Sequence, residues 1–273
     1  MDIKKMFDEN EKPLDNLVED GGFCGIFRTI VCIGDSLSSG EFESADENGN
    51  KGFHDCYDYS WGQHIARRTG AKVYNASRGG MSARRYLAAY GNETGAWWDE
   101  RLDDNKADAA KIIALGVNDV NEAYGKKEDL GDISDIDLND YNNNKDTFAG
   151  NYAKIIQRLR EIQPKCRIFL MTIPRDGHCE EWEKLADRHA ELLHEIAGLF
   201  EFVYVIDLRK YAPEYDEDFK NKFYLGTHMN PMGYLLTAKM VMSYIDWIIR
   251  HNMDDFKQIA FIGKPYHNHG EKW

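Results

Sequence analysis

Five short runs of apolar and β-branched residues, at 27–33, 71–74, 109–115, 167–172 and 202–206, alternate along this chain with longer segments of helical pattern. The length of each run and the turn residues that bound it suit a strand buried on both faces. One helical segment opens at Ser60-Trp61-Gly62. Another runs from Asp146 to Gln163 and carries Tyr152, Ile155, Ile156 and Leu159; a third spans Trp182 to Leu199 and a fourth Pro231 to Ile249. Strands linked through helices of this size need right-handed crossovers, which produce a mainly parallel sheet covered on both sides. The expected class is α/β, a three-layer α/β/α sandwich around a five-stranded, mainly parallel sheet.

The 273 residues, 42% of them hydrophobic, can fill one large domain of this kind, and no Pro/Ser-rich linker divides them. A single domain over 1–273 is expected, with its core at 27–251, a polar lead-in at 1–26 and a tail at 252–273. The net charge of −13 argues against nucleic acid and anionic membrane surfaces as partners, because both attract basic patches. Met1 to Asn10 lack the apolar core of a secretory signal, and no stretch is long and apolar enough to cross a bilayer, so a cytoplasmic location is expected. The five cysteines include no CxxC pair, and His189 and His194 sit five apart, off the i,i+4 face that metal pairs use; no disulfide framework and no metal is expected. Two polar stretches break the alternation. Residues 43–58, with Phe53, His54, Tyr57 and Tyr59 in or beside them, are expected to border a pocket, and 126–145 to form a solvated insertion. In the tail, Ile259-Ala260-Phe261-Ile262 is an apolar patch suited to docking on the domain or on a partner.

Four short blocks fall where a strand pattern ends or a helix pattern begins: Gly34-Asp35-Ser36-Leu37, Asn75 to Gly80, Gly116-Val117-Asn118-Asp119, and His228 followed by Asn230-Pro231 and Gly233. In a doubly wound sheet, loops beyond the carboxyl ends of the strands converge on one site. The residue types in these blocks are those that acyl transfer needs. A serine hydroxyl becomes a nucleophile when an imidazole takes its proton, and the imidazole later protonates the departing alcohol. Ser36 and His228 are the candidates for those two roles. An oxyanion in the tetrahedral intermediate requires fixed donors, which the Ser36 amide, the Gly80 amide and the Asn118 side chain can supply. Asn230 and Pro231 make an N-cap and first helical residue, which would hold His228 on a short tether.

These blocks, in this order across residues 27–251, resemble the four sequence blocks of the SGNH hydrolases, also called the GDSL esterase/lipase superfamily. The resemblance implies Ser36 as nucleophile, Gly80 and Asn118 completing the oxyanion hole with the Ser36 amide, and His228 as base. It also implies a flavodoxin-like α/β/α fold with a five-stranded parallel sheet, no metal or organic cofactor, and a small-molecule acyl ester as substrate. The polar insertions and the lack of an apolar lid helix favour short acyl groups, with acetyl esters of a carbohydrate or similar polar alcohol first among them. A thioesterase or lysophospholipase of the same superfamily, and an SGNH-fold binding protein that has lost turnover, are the alternatives.

One departure stands out. The family usually carries an aspartate three residues before the histidine, and this chain has Leu225 there. Three accounts are open: a backbone carbonyl near residue 225 accepts the Nδ1 proton of His228, an acid enters from elsewhere, with Asp216, Glu217 and Asp218 on the preceding loop the nearest in sequence, or activity is weak or lost. Taken singly, the other marked residues have plainer readings. Gly80 suits a tight turn, Asn118 a helix cap, Asp35 and Asp119 bonds to neighbouring backbone, and Trp97, Trp98 and Tyr124 core or rim packing. Arg78 is placed to contact an acidic or hydroxylated substrate, or to pair with Glu41 or Asp119. Spacing gives Glu41 and Glu43 no role.

Overall fold

The computed structural model describes residues 7–8, 10–90, 110–265 and 267–270. In its central sheet β1 (Thr29–Gly34) lies between β4 (Lys72–Ser77) on one side and β5 (Ala110–Ala114), β6 (Arg167–Met171) and β7 (Val203–Ile206) on the other, giving the order β4-β1-β5-β6-β7. All four pairings are parallel, with Ile30 opposite Val73 and Ala110, and Ile33 opposite Ala76 and Ile113. The five expected strands are therefore all present, in a doubly wound sheet.

The two-residue period of the strands divides the core. Ile30, Cys32 and Ile112 point into one layer, where they meet Trp61 and Ile65 of α2 (Trp61–Thr69) and the long helix α9 (Pro231–His251). Val31, Ile33 and Ile113 point into the other, against Tyr152 and Ile156 of α5 (Phe148–Ile162) and Leu193 of α6 (Glu180–Ala197). The lead-in docks on α9: Val18 N–H donates to Ser243 Oγ at 2.9 Å, Phe23 N–H to Asp246 Oδ1 at 2.7 Å, and Glu11 pairs with Arg250 at 2.6 Å. In the tail, Ile259 and Ile262 are buried in the same layer, so the apolar patch packs on this chain.

Residues 43–58 differ from expectation. A β-hairpin occupies most of this polar stretch, with β2 (Glu41–Ala45) antiparallel to β3 (Lys51–Asp55), and its turn is closed by Asp46 Oδ1 accepting from the amides of Asn48 and Asn50 at 2.8 Å each. Composition hid the strands, because β2 is half exposed and β3 almost wholly so, and neither needs apolar residues. The 126–145 insertion is ordered by aspartate turns and buries Leu130 and Asp135, the latter pairing with Lys145 at 2.6 Å. None of the five cysteines is in a disulfide.

The N-cap read at Asn230 is present: its Oδ1 accepts from Met232 N and Gly233 N at 2.9 and 3.0 Å, and its Nδ2 donates to the Lys222 carbonyl at 2.8 Å. Asn230→Ala is expected to cost about 1 kcal/mol or more and to lower Tm by about 2–4 °C, measured by thermal unfolding. Among the described residues no helix is long and apolar enough to cross a membrane.

Candidate active site

The strand order reverses around β1, since the chain next adds β4 on one side and then β5 on the other. Crevices in such sheets open at that switch point, beyond the strand carboxyl ends. Two of the four blocks follow β1 and β5 directly. Asp35 caps the short helix α1 (Ser36–Ser39), accepting from Leu37 N at 3.0 Å, so Ser36 is the first helical residue and its own N–H has no intrahelical acceptor. The Ser36 carbonyl accepts from Ser39 Oγ at 3.2 Å, while its Oγ makes no hydrogen bond among the described residues.

Asn118 is the second residue of α4 (Val117–Tyr124), whose N-cap is Gly116 and not, as one plainer reading had it, Asn118. Gly116 has φ +156°, and a side chain there would overlap the buried His189 ring. The Asn118 amide is turned inward, donating to Met81 O at 3.1 Å with Asp35 Oδ2 at 3.5 Å, which ties the serine, glycine and asparagine blocks together. Gly80 lies exposed with φ +74°, its carbonyl held by Arg85 Nη1 at 3.0 Å. Asp119 bonds distant backbone, the amide of Ala83 at 2.7 Å where α3 (Ala83–Tyr90) begins. Burial pushes the Asp119 carboxyl well above the usual range and that of Asp35 up to about 7.

His228 opens β9 (His228–Met229), which pairs with β8 (Tyr224–Leu225) through a turn at Gly226-Thr227 and packs against α1. The side chain is 12% exposed, and its two ring nitrogens face two carboxylates of one strand. Glu41 and Glu43 are two apart on β2, so both point the same way. On the Nδ1 side, Thr227 Oγ1 lies 3.1 Å from the ring and donates to Glu43 Oε2 at 2.6 Å, while Thr227 N–H donates to the same oxygen at 2.8 Å. Glu43 Oε2 is itself 3.9 Å from Nδ1, and Lys51 holds Oε1 at 2.6 Å. Gly226, at φ +66°, leaves space for this carboxylate, because a methyl there would collide with it. The bonds from Lys51 and Thr227 bring the Glu43 carboxyl down to about 2, so it is ionised at any working pH.

The Nδ1 side thus meets an acid from elsewhere in the chain, one of the accounts weighed from the sequence, but that acid is Glu43 acting through Thr227 and none of the three on the preceding loop. Among the described residues no backbone carbonyl takes the Nδ1 proton; Asp216 caps α8 (Glu217–Phe223), Asp218 pairs with Lys222 at 2.5 Å, and Glu217 is exposed on the first turn of α8. All three acids are committed to the helix or to solvent, whereas Glu43 reaches His228 from the hairpin. Its signal was the 41/43 spacing beside a turn at 46–50, legible only to a reader who took that stretch as strand.

On the other side, His228 Nε2 meets Glu41 Oε1 at 3.1 Å, and Glu41 Oε2 lies under Gly79, 2.6 Å from where a Cβ would stand. Tyr234 OH donates to the Glu41 carbonyl at 2.6 Å and fixes that backbone. Phe53, 52% exposed, sets its ring edge-on to His228 at 5.4 Å, while Tyr57 is committed to Val73 O at 2.9 Å and His54 to Ser44 at 2.8 Å. Arg78 is exposed and pairs with neither Glu41 nor Asp119. His194 bonds Asp207 at 2.9 Å and His189 packs on Phe148, in separate places. Trp97 and Trp98 lie outside the described residues. A partly open cavity of about 80 Å³, walled by Leu37, Val117, Ile173, Tyr224 and Met229 among others, lies nearby, but Ser36, Gly80, Asn118 and His228 do not line it.

The model of the GDSL-like lipase/acylhydrolase family matches residues 32–236. No curated protein matches the chain. Among solved structures, a family two carbohydrate esterase from Clostridium thermocellum in complex with cellohexaose superposes with TM-score 0.57 at 16% identity, over 84% of this chain and 65% of that one. The acetyl xylan esterase AlAXEase gives TM-score 0.51 at 17% identity, over 80% and 99%. A protein from Parabacteroides merdae described as a GDSL-like lipase gives 0.53 at 17%, over 85% and 98%. The match thus spans a little under two thirds of the Clostridium esterase, and these likenesses establish the fold.

Proposed function

The chain belongs to the GDSL-like lipase/acylhydrolase family of ester-hydrolysing enzymes, and from that premise we propose that it is a serine esterase acting on small acyl esters of a polar alcohol, acetylated carbohydrate foremost. The observation that carries the proposal is the convergence of four distant blocks at the switch point, with Asn118 bonded between Met81 and Asp35 and His228 supported on β9 beside α1. The carbohydrate and acetyl xylan esterases among the similar folds support the choice of substrate, as does a rim carrying Glu41, Glu43, Lys51, Thr227 and Arg78.

In this mechanism Ser36 Oγ gives its proton to His228 Nε2 and bonds the ester carbonyl carbon. The negative charge on the carbonyl oxygen is met by the Ser36 and Gly80 amides and by Asn118 Nδ2. Collapse breaks the bond to the alcohol oxygen, which takes the proton from Nε2, and leaves an acyl group on Ser36. Water then attacks the acyl carbon, passing a proton to Nε2; the bond to Oγ breaks and Oγ recovers that proton. Thr227 Oγ1, having spent its only proton on Glu43, accepts at Nδ1 and so keeps the Nδ1–H tautomer, which leaves Nε2 free to act as base. Glu43 supplies the negative charge behind it. The test is mass analysis of the protein quenched during turnover of nitrophenyl acetate: an acetyl adduct is expected on the peptide containing Ser36, and its absence under burst conditions overturns the acyl-enzyme.

Burial lowers the His228 pKa from its ordinary value, outweighing the Glu43 charge that raises it. A base works when deprotonated, so the acid limb of kcat/KM is expected to have its midpoint below about 6.5, read from initial rates between pH 4 and pH 9.

A further inference from the structure

Hydrogen-bond accounting at His228 leaves one carboxyl without a partner. Thr227 Oγ1 donates to Glu43 at 2.6 Å, so Nδ1 must carry a hydrogen to fill the 3.1 Å contact with Thr227. Nε2 is then a bare lone pair, in keeping with the burial that lowers the His228 pKa, and a bare lone pair does not bond a carboxylate. Glu41 Oε1 stands 3.1 Å from Nε2, and among the described residues the Glu41 side chain makes no hydrogen bond. In the free enzyme a largely buried carboxyl therefore stands, without a donor, beside the atom that must accept the Ser36 proton.

We propose that Glu41 determines which alcohol this enzyme accepts: an ester whose alcohol carries a hydroxyl beside the ester oxygen, the hydroxyl donating to the Glu41 carboxyl. The inference rests on the esterase reading above. The leaving oxygen must come within about 3 Å of Nε2 to receive its proton. Glu41 Oε1 already lies 3.1 Å from that atom, so leaving oxygen and carboxylate are neighbours across Nε2. A hydroxyl on the adjacent carbon spans the remaining gap, since vicinal oxygens stand about 3 Å apart and a hydrogen bond covers about 2.7 Å more. The carboxylate cannot retreat to water without cost: its side chain is 17% exposed, with Oε2 against Gly79 and the backbone held by Tyr234. A simple alkyl ester offers it no donor.

The experiment compares 1-O-acetylglycerol with propyl acetate, which differ only in the two hydroxyls, by titrating released acetic acid. Wild type is expected to prefer the glycerol ester about 10–100-fold in kcat/KM, a measurement that needs no variant. Glu41→Ala should bring that ratio to within about threefold of one, and Glu41→Gln, of the same shape and with an acceptor oxygen, should keep a preference of about threefold or more. A wild-type ratio near one overturns the proposal, as does a ratio that Glu41→Ala leaves unchanged, including the case in which both esters slow together. A preference abolished by Glu41→Gln overturns the hydroxyl donor in favour of a cationic one. Ser36→Ala separates this from the underlying reading: hydrolysis of both esters persisting there defeats the esterase mechanism itself, whatever the ratio.

Discussion

Ser36→Ala is expected to abolish labelling by a fluorophosphonate and to lower kcat by about 10⁴-fold or more, equivalent to about 5.5 kcal/mol of barrier. The loss should be confined to chemistry. Ser36 Oγ makes no hydrogen bond among the described residues, and the side chain is part exposed at the start of a four-residue helix whose cap is Asp35. Removing one such oxygen should change stability by no more than about 0.5 kcal/mol, so the thermal midpoint stays put while turnover disappears. Stoichiometric labelling of the variant would place the nucleophile elsewhere.

The second large effect is expected at Glu43. In a serine protease, turning the triad aspartate into asparagine costs about 10⁴ in kcat, chiefly through the wrong imidazole tautomer. Here the carboxylate stands 3.9 Å from Nδ1 and acts through the Thr227 hydroxyl, which keeps part of the orienting role when the charge goes. Glu43→Gln is therefore expected to lower kcat by about 10²-fold, with KM little changed. Because the Glu43 charge raises the His228 pKa, its removal should also move the acid limb of kcat/KM to lower pH. A merely structural role for Glu43 would lower activity without that displacement. Asp216→Asn, Glu217→Gln and Asp218→Asn should each stay within about twofold of wild type. A collapse at any of them, with Glu43→Gln fully active, would show that the histidine is supported from α8 after all.

The parts of this site that could be read from the chain share a physical property. Gly34 to Leu37, Gly116 to Asp119 and the Asn230-Pro231 cap are local: strand ends, a turn glycine and a capping side chain act on residues two to four positions away. The four blocks also keep their spacing to the strands that deliver them, so their order announced the site before the fold was known. Glu43 has no such locality. It meets Thr227 across 184 residues of chain, and its strand lacks an apolar pattern because β2 sets only Phe42 against the core while Glu41 and Glu43 face His228 and β3 is almost wholly exposed. The plainer reading of Asn118 as a helix cap gave way to the structure, since Gly116 is the cap and only a glycine leaves room there for His189.

The sequence by itself determined the α/β class, the five strands, the family and the candidate residues Ser36, Gly80, Asn118 and His228, because strand patterning and turn chemistry are written within a few residues of where they act. Only the tertiary structure decided what stands on either side of the His228 ring. Leu225 removes the acid that local geometry would have supplied, and what replaces it depends on a hairpin folding back so that two carboxylates of one strand reach Nδ1 through Thr227 and Nε2 directly. Such a contact follows from the packing of distant segments, which no residue pattern along the chain encodes.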